Sequence, residues 1–138
     1  MKWYDKGLFF KCIQCGKCCT GFPGFIWILK DEIKTISSFL HIKESKFFKK
    51  YTKIICNKIS LKEILPSYDC IFLKNKKCSI YKVRPLQCKT SPFWPQNMIS
   101  KKAWEDNIEK HCPGAKNKTS KISKNKIEEI LKKSKRVF

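Results

Sequence analysis

Nine cysteines stand in this 138-residue chain, at positions 12, 15, 18, 19, 56, 70, 78, 88 and 112. The first four are bunched as Cys12-Ile-Gln-Cys15-Gly-Lys-Cys18-Cys19. A CxxC spacing suits a metal ion, because a tight turn lets two sulfurs converge on one centre. Gly16 follows the second cysteine directly, where such a turn often needs a left-handed backbone. Two overlapping CxxC pairs with an adjacent fourth cysteine point to metal ligation far more strongly than one pair would. The theme recurs more sparsely downstream as Asp69-Cys70-Ile-Phe-Leu73, Lys77-Cys78-Ser-Ile-Tyr81, Arg84-Pro85-Leu-Gln-Cys88 and His111-Cys112-Pro113-Gly114.

The compartment decides between disulfides and metal. The longest unbroken apolar run is Phe25–Leu29, whereas a membrane-spanning helix needs about 20 apolar residues. The N-terminus offers only Gly7-Leu8-Phe9-Phe10 before Lys11, too short for the apolar core of a secretory leader. The sequence therefore predicts a cytoplasmic protein with reduced thiols, in which metal ligation is the leading use of clustered cysteine.

Taken in order, CxxCGxCC, C-x2-L, C-x-I-Y, R-P-x2-C and a final C-P-G resemble the CxxCxxCC family of zinc- or iron-chelating domains, the YkgJ-like cysteine-cluster proteins. The resemblance runs over about residues 10–115 and rests on Cys12, Cys15, Gly16, Cys18, Cys19, Cys70, Leu73, Cys78, Ile80, Tyr81, Arg84, Pro85, Cys88 and Cys112. It implies a metal site held by Cys12, Cys15, Cys18, Cys19, Cys70, Cys78, Cys88 and Cys112. Some members of the family carry this module at the front of a much longer flagellin lysine N-methylase. Cys56 falls outside the pattern and is expected to be a spare, buried thiol.

Eight thiolates are the complement of two tetrathiolate zinc ions or of an iron–sulfur cluster. The run Cys12-x2-Cys15-x2-Cys18 and the pair Cys112-Pro113 favour a ferredoxin-like centre. Cys19, directly after Cys18, departs from the ferredoxin spacing. Zinc and iron–sulfur both stay open. The leading function is a metal-binding protein with a structural or adaptor role. The alternatives are an iron–sulfur redox or protein-modifying enzyme component, and a zinc-stabilised nucleic-acid binder using Phe93, Trp94 and Trp104. No Ser-His-Asp set or general-base pair is evident. His41 and His111 are expected to face solvent. Of 31 basic residues only Arg84 and Arg136 are arginine, so Arg84 suggests a need for a planar donor fork, on a backbone carbonyl, on Asp69 or near sulfur.

The elements that must position these residues follow from periodicity. Asp31–Leu40 and Glu44–Tyr51 read as helices, the first with acids in its opening turn, where negative charge is favoured. Phe25–Leu29 reads as a short strand, and Cys70–Leu73 with Cys78–Tyr81 as a β-hairpin bearing a cysteine on each arm. Asn57–Tyr68 reads as a lysine-rich connector with a helical turn near Leu61–Leu65. Pro85 should start a turn that carries Cys88. Ser91–Pro95 reads as an aromatic loop over the cluster. Ile99–Lys110 reads as a helix with Trp104 and Ile108 inward, followed by Cys112 and a Pro-Gly stop. Asn125–Lys133 is an amphipathic tail helix that docks on its own domain or on a protein partner.

The predicted fold class is thus α+β: a small metal-stabilised cysteine-cluster domain over residues 1–115, then a basic linker and tail helix over 116–138. The net charge of +20 reads first as a lysine-rich solvated surface. It also predicts salt-sensitive, non-specific adhesion to nucleic acid.

Overall fold

The computed structural model describes residues 2–14, 25–118 and 120–138. Its elements, all short, are β1 (Leu8–Phe9), α1 (Lys30–Phe39), α2 (Glu44–Tyr51), β2 (Thr52–Ile55), β3 (Lys58–Leu61), β4 (Glu63–Ile64), β5 (Asp69–Cys70), β6 (Leu73–Lys74), β7 (Lys77–Cys78), α3 (Leu86–Thr90), α4 (Pro95–Met98), α5 (Lys101–Trp104), α6 (Pro113–Lys116), β8 (Lys121–Ile122) and α7 (Lys124–Ser134). A 3₁₀ turn occupies Tyr81–Val83. The strands pair antiparallel as β1–β8, β2–β3, β4–β5 and β6–β7. The fold is α+β. No helix among the described residues is long and apolar enough to cross a membrane.

Contacts divide the chain into two compact units, one built from residues 2–14 and Thr90–Arg136, the other from residues 25–89. In the second unit, α1 turns Ile33 and Ile36 inward and α2 turns Phe47 inward, the i, i+3 spacing of an amphipathic helix. Their core also holds Ile28, Leu61, Cys70, Phe72 and Ile80, with Phe47 and Phe72 stacked at 6.2 Å and Tyr51 on Phe72 at 4.8 Å. The core of the first unit gathers Tyr4, Phe93, Met98, Trp104, Ala115 and Ile127. Phe93 lies flat on Trp104 at 5.5 Å, and Phe10 meets Phe93 edge-on.

Both two-residue hairpins are closed by left-handed pairs, Cys56-Asn57 between β2 and β3 and Asn75-Lys76 between β6 and β7. Positive φ at both central positions is what the twist of a tight hairpin requires. Phe25–Ile28 lies beside β3 through a bridge of Trp27 with Ser60, with Ile28 N–H donating to Ile59 O and Leu61 N–H to Ile26 O.

Several expectations are corrected. The connector around Leu61–Leu65 contains no helical turn; it holds the end of β3 and then β4. β2 lay hidden because its alternation, Thr52 and Ile54 against Lys53 and Ile55, is shallow in so lysine-rich a chain. The cysteine hairpin exists, but only Cys78 sits on it: Cys70 pairs instead with Glu63 of β4. Cys56 is exposed at a hairpin tip rather than buried. The stretch Ile99–Lys110 starts at the Ser100 cap and widens into a π-helical turn over Glu105–Glu109. Pro113 does not stop a helix but opens α6 at a position where its missing N–H costs nothing.

The tail helix α7 packs Ile127 fully into the core of its own unit, with Ile130 and Leu131 alongside. Asp5 pairs with Lys124 at 3.1 Å, a hydrogen bond that holds its carboxyl below the usual value. Burial, then the neighbouring Glu128, pushes the Tyr4 phenol up. On α5 and the turn beyond it, Asp106 accepts from Lys102 and Lys110 at 2.8 Å each, and these bonds bring it down to about 2.

Candidate metal centre

Among the described residues, Cys12, Cys70, Cys78, Cys88 and Cys112 lie on or beside segments held by backbone hydrogen bonds. In the first unit, Lys11 N–H donates to the Gly114 carbonyl at 3.0 Å. That bond sets the segment leading into Cys12 beside the Cys112-Pro113-Gly114 segment, so two cysteines a hundred residues apart in sequence sit on neighbouring segments. Gly114 is buried there, and a Cβ on it would run into the Lys11 carbonyl oxygen. Glycine is required for this approach. Cys112 is itself fixed by its N–H to Ile108 O at 2.7 Å, while its carbonyl accepts from Ala115 and Lys116 at 3.0 and 2.9 Å. Gly114→Ala should therefore destabilise the protein by about 1–3 kcal/mol and loosen the Cys12 segment. Urea denaturation and amide exchange at Lys11 measure the two effects.

In the second unit, Cys70 is buried in the core and Cys78 packs against the same core. Their elements are joined in series: Cys78 lies opposite Leu73, three residues beyond Cys70, and Ser79 closes the hairpin by donating both its N–H and its Oγ to Phe72 O, at 2.8 and 2.7 Å. Arg84 then spans the turn toward Cys88. Its Nη1 donates to Tyr81 O at 2.8 Å, and its guanidinium lies 4.0 Å from the centre of the half-buried Tyr81 ring. Of the three uses foreseen for Arg84, the backbone clamp is the one found.

Cys88 rides on α3, which is held by two side chains that sequence reasoning did not single out for this. Glu32 accepts from Leu29 N–H at 2.9 Å, capping α1, and with its other oxygen from Leu86 N–H at the start of α3. One carboxylate therefore serves two helix N-termini, where negative charge is stabilised. The helix-end role expected for Glu32 is present, with a second helix added to it. Gln87, beside Cys88, accepts from Trp27 N–H at 2.9 Å and donates to Phe25 O at 2.8 Å. Its primary amide completes the edge of the Phe25–Ile28 segment as another strand would. Gln87 sits inside the R-P-L-Q-C motif, but neither its burial nor its partners could be read from sequence. Glu32→Gln leaves one of the two N–H donors facing an amide NH₂ and should cost about 1–3 kcal/mol, seen as a lower urea midpoint at unchanged slope.

Cys12 is exposed, Cys78, Cys88 and Cys112 are half-buried, and Cys70 is buried. Cys15, Cys18 and Cys19 lie outside the described residues. Among the described residues no three His, Cys, Asp or Glu side chains converge as a metal-holding group. His41 and His111 face solvent, as expected. Phe93 and Trp104 are buried in a core, which removes them as a surface for nucleic acid. The described family cysteines offer soft thiol sulfur, which fits zinc or iron. Among the described residues one buried carboxylate oxygen, Glu63 Oε2, lacks a hydrogen-bond partner, and it belongs to the residue directly opposite Cys70.

Residues 11–113 match the model of the family CxxCxxCC, described as "Putative zinc- or iron-chelating domain". The chain is also 39% identical over 93 residues to the uncharacterized protein MJ0661 of Methanocaldococcus jannaschii, an overlap covering 65% of this chain and 48% of the relative. The chain spans about half the length of that relative. No solved structure matches.

Proposed function

The chain belongs to the CxxCxxCC family, and from that premise we propose that it is a cytoplasmic zinc- or iron-binding protein whose metal has a structural or adaptor role. Cys12, Cys15, Cys18, Cys19, Cys70, Cys78, Cys88 and Cys112 are the ligands in this reading, serving one or two centres. The observation that carries it is the close backbone contact of Lys11 with Gly114, which brings the segment before Cys12 beside the segment after Cys112. That contact tolerates only glycine and lies between segments that each carry a family cysteine. The residues present would hold the ion, and the ion would supply cross-links between segments far apart in sequence. Protein purified without oxygen tests the choice of metal. A colourless, zinc-loaded protein supports a structural centre. Brown absorption that bleaches on reduction moves the protein to the iron–sulfur alternative and to redox or protein-modifying chemistry.

One observation favours a second reading. Phe25 and Trp27 stack at 5.0 Å beside β3, with Lys53 Nζ 5.7 Å from the Phe25 ring and Lys58 Nζ 4.6 Å from the Trp27 ring. Aromatic faces flanked by lysine on a chain of charge +20 suit single-stranded nucleic acid. Binding that survives physiological salt and is lost in Phe25→Ala would support it; binding abolished by salt alone would reduce it to charge.

A further inference from the structure

Glu63 and Cys70 are directly opposed in the β4–β5 ribbon, so their side chains leave the same face. The register is pinned by Ile64 against Asp69 and by Ile71 N–H donating to Lys62 O at 3.1 Å. The Glu63 side chain is only 16% exposed. Its Oε1 takes the Lys53 ammonium at 3.4 Å. Its Oε2 is buried with no hydrogen-bond partner among the described residues. An unpaired buried carboxylate oxygen is costly and calls for an ion or a water to complete it. A thiol from a family cysteine stands across the ribbon from it, and carboxylate oxygen is an ordinary companion of sulfur around zinc or ferrous iron.

We propose that Glu63 gives a carboxylate oxygen to the metal centre that Cys70 serves, making that centre a mixed sulfur–oxygen site for a mononuclear divalent ion. The inference rests on the metal-binding reading and sharpens it, because iron–sulfur clusters are held chiefly by thiolates. It adds a ligand that no cysteine pattern contains. Lys53 then has a positioning role: it fixes one carboxylate oxygen so that the other faces the ion.

The full-length chain is loaded with zinc(II) without oxygen, and its zinc absorption edge and competition against a chelator are compared for wild type, Glu63→Gln, Glu63→Ala and Lys53→Met. Helix content by circular dichroism confirms that each variant is folded. Wild type should show an oxygen neighbour beside the sulfurs. Both Glu63 variants should lose that neighbour and bind zinc roughly 10–100-fold more weakly, while Lys53→Met should change affinity far less. If Glu63 matters only through its ion pair, Lys53→Met will weaken binding as much as the Glu63 variants, and the proposal fails. It fails equally if the Glu63 variants keep wild-type zinc affinity with an all-sulfur shell, in which case water completes Oε2. A wild-type chain that takes up no zinc defeats the metal-binding reading first and this inference with it.

Discussion

Stripping the metal from this protein should abolish its cooperative thermal transition. The two units rest on small cores, which gather eight and six buried side chains among the described residues. The strands that carry or face the cysteines are two residues long in β5, β6 and β7. Hairpins that short are not stable by themselves. A structural zinc ion contributes on the order of 10 kcal/mol of apparent folding free energy, comparable with the whole stability of an ordinary domain. Circular dichroism melts with and without a strong chelator should therefore show a sharp transition replaced by a broad, low one, and zinc should restore it. A metal-free protein with the same midpoint would show that the cores alone hold the fold.

The second large effect separates the cysteines from one another. If Cys88 is a ligand as proposed, Cys88→Ser should lower the thermal midpoint nearly as far as metal removal does, through the helix that Glu32 and Gln87 position. Cys56→Ser should change the midpoint little, by about 0.5 kcal/mol or less, and leave metal content untouched. Cys56 is exposed at the tip of the β2–β3 hairpin, where its left-handed backbone (φ 49) matters more than its sulfur. Equal effects from the two substitutions would contradict the division of the cysteines into eight ligands and one bystander.

The sequence carried the helices well. Apolar spacing gave α2 at its observed limits, and α1 and α7 within a residue or so of theirs. That success has a physical reason: a helix buries one face, so its period survives even in a lysine-rich chain. The strands were less legible. In β2 and β3 the outer face carries Lys53 and Lys58 among isoleucines, and a two-residue hairpin closed by Cys56-Asn57 has none of the glycine that marks such turns. The family cysteines were legible because their spacing is chemical. The devices that hold them were not. Gly114 against Lys11, Glu32 spanning two helix starts and Gln87 bonding to Phe25 and Trp27 are contacts between segments tens of residues apart, and no local pattern announces them. Glu63 is the plainest case: only the strand register reveals that it faces a cysteine.

The central claim is that these cysteines hold metal, and elemental analysis of the full-length protein purified without oxygen tests it most directly. Zinc or iron should be present at one or two centres' worth per chain, stay bound through gel filtration, and fall in Cys88→Ser but not in Cys56→Ser. A cooperatively folded protein that contains neither metal, and takes up neither when it is supplied, would contradict the account.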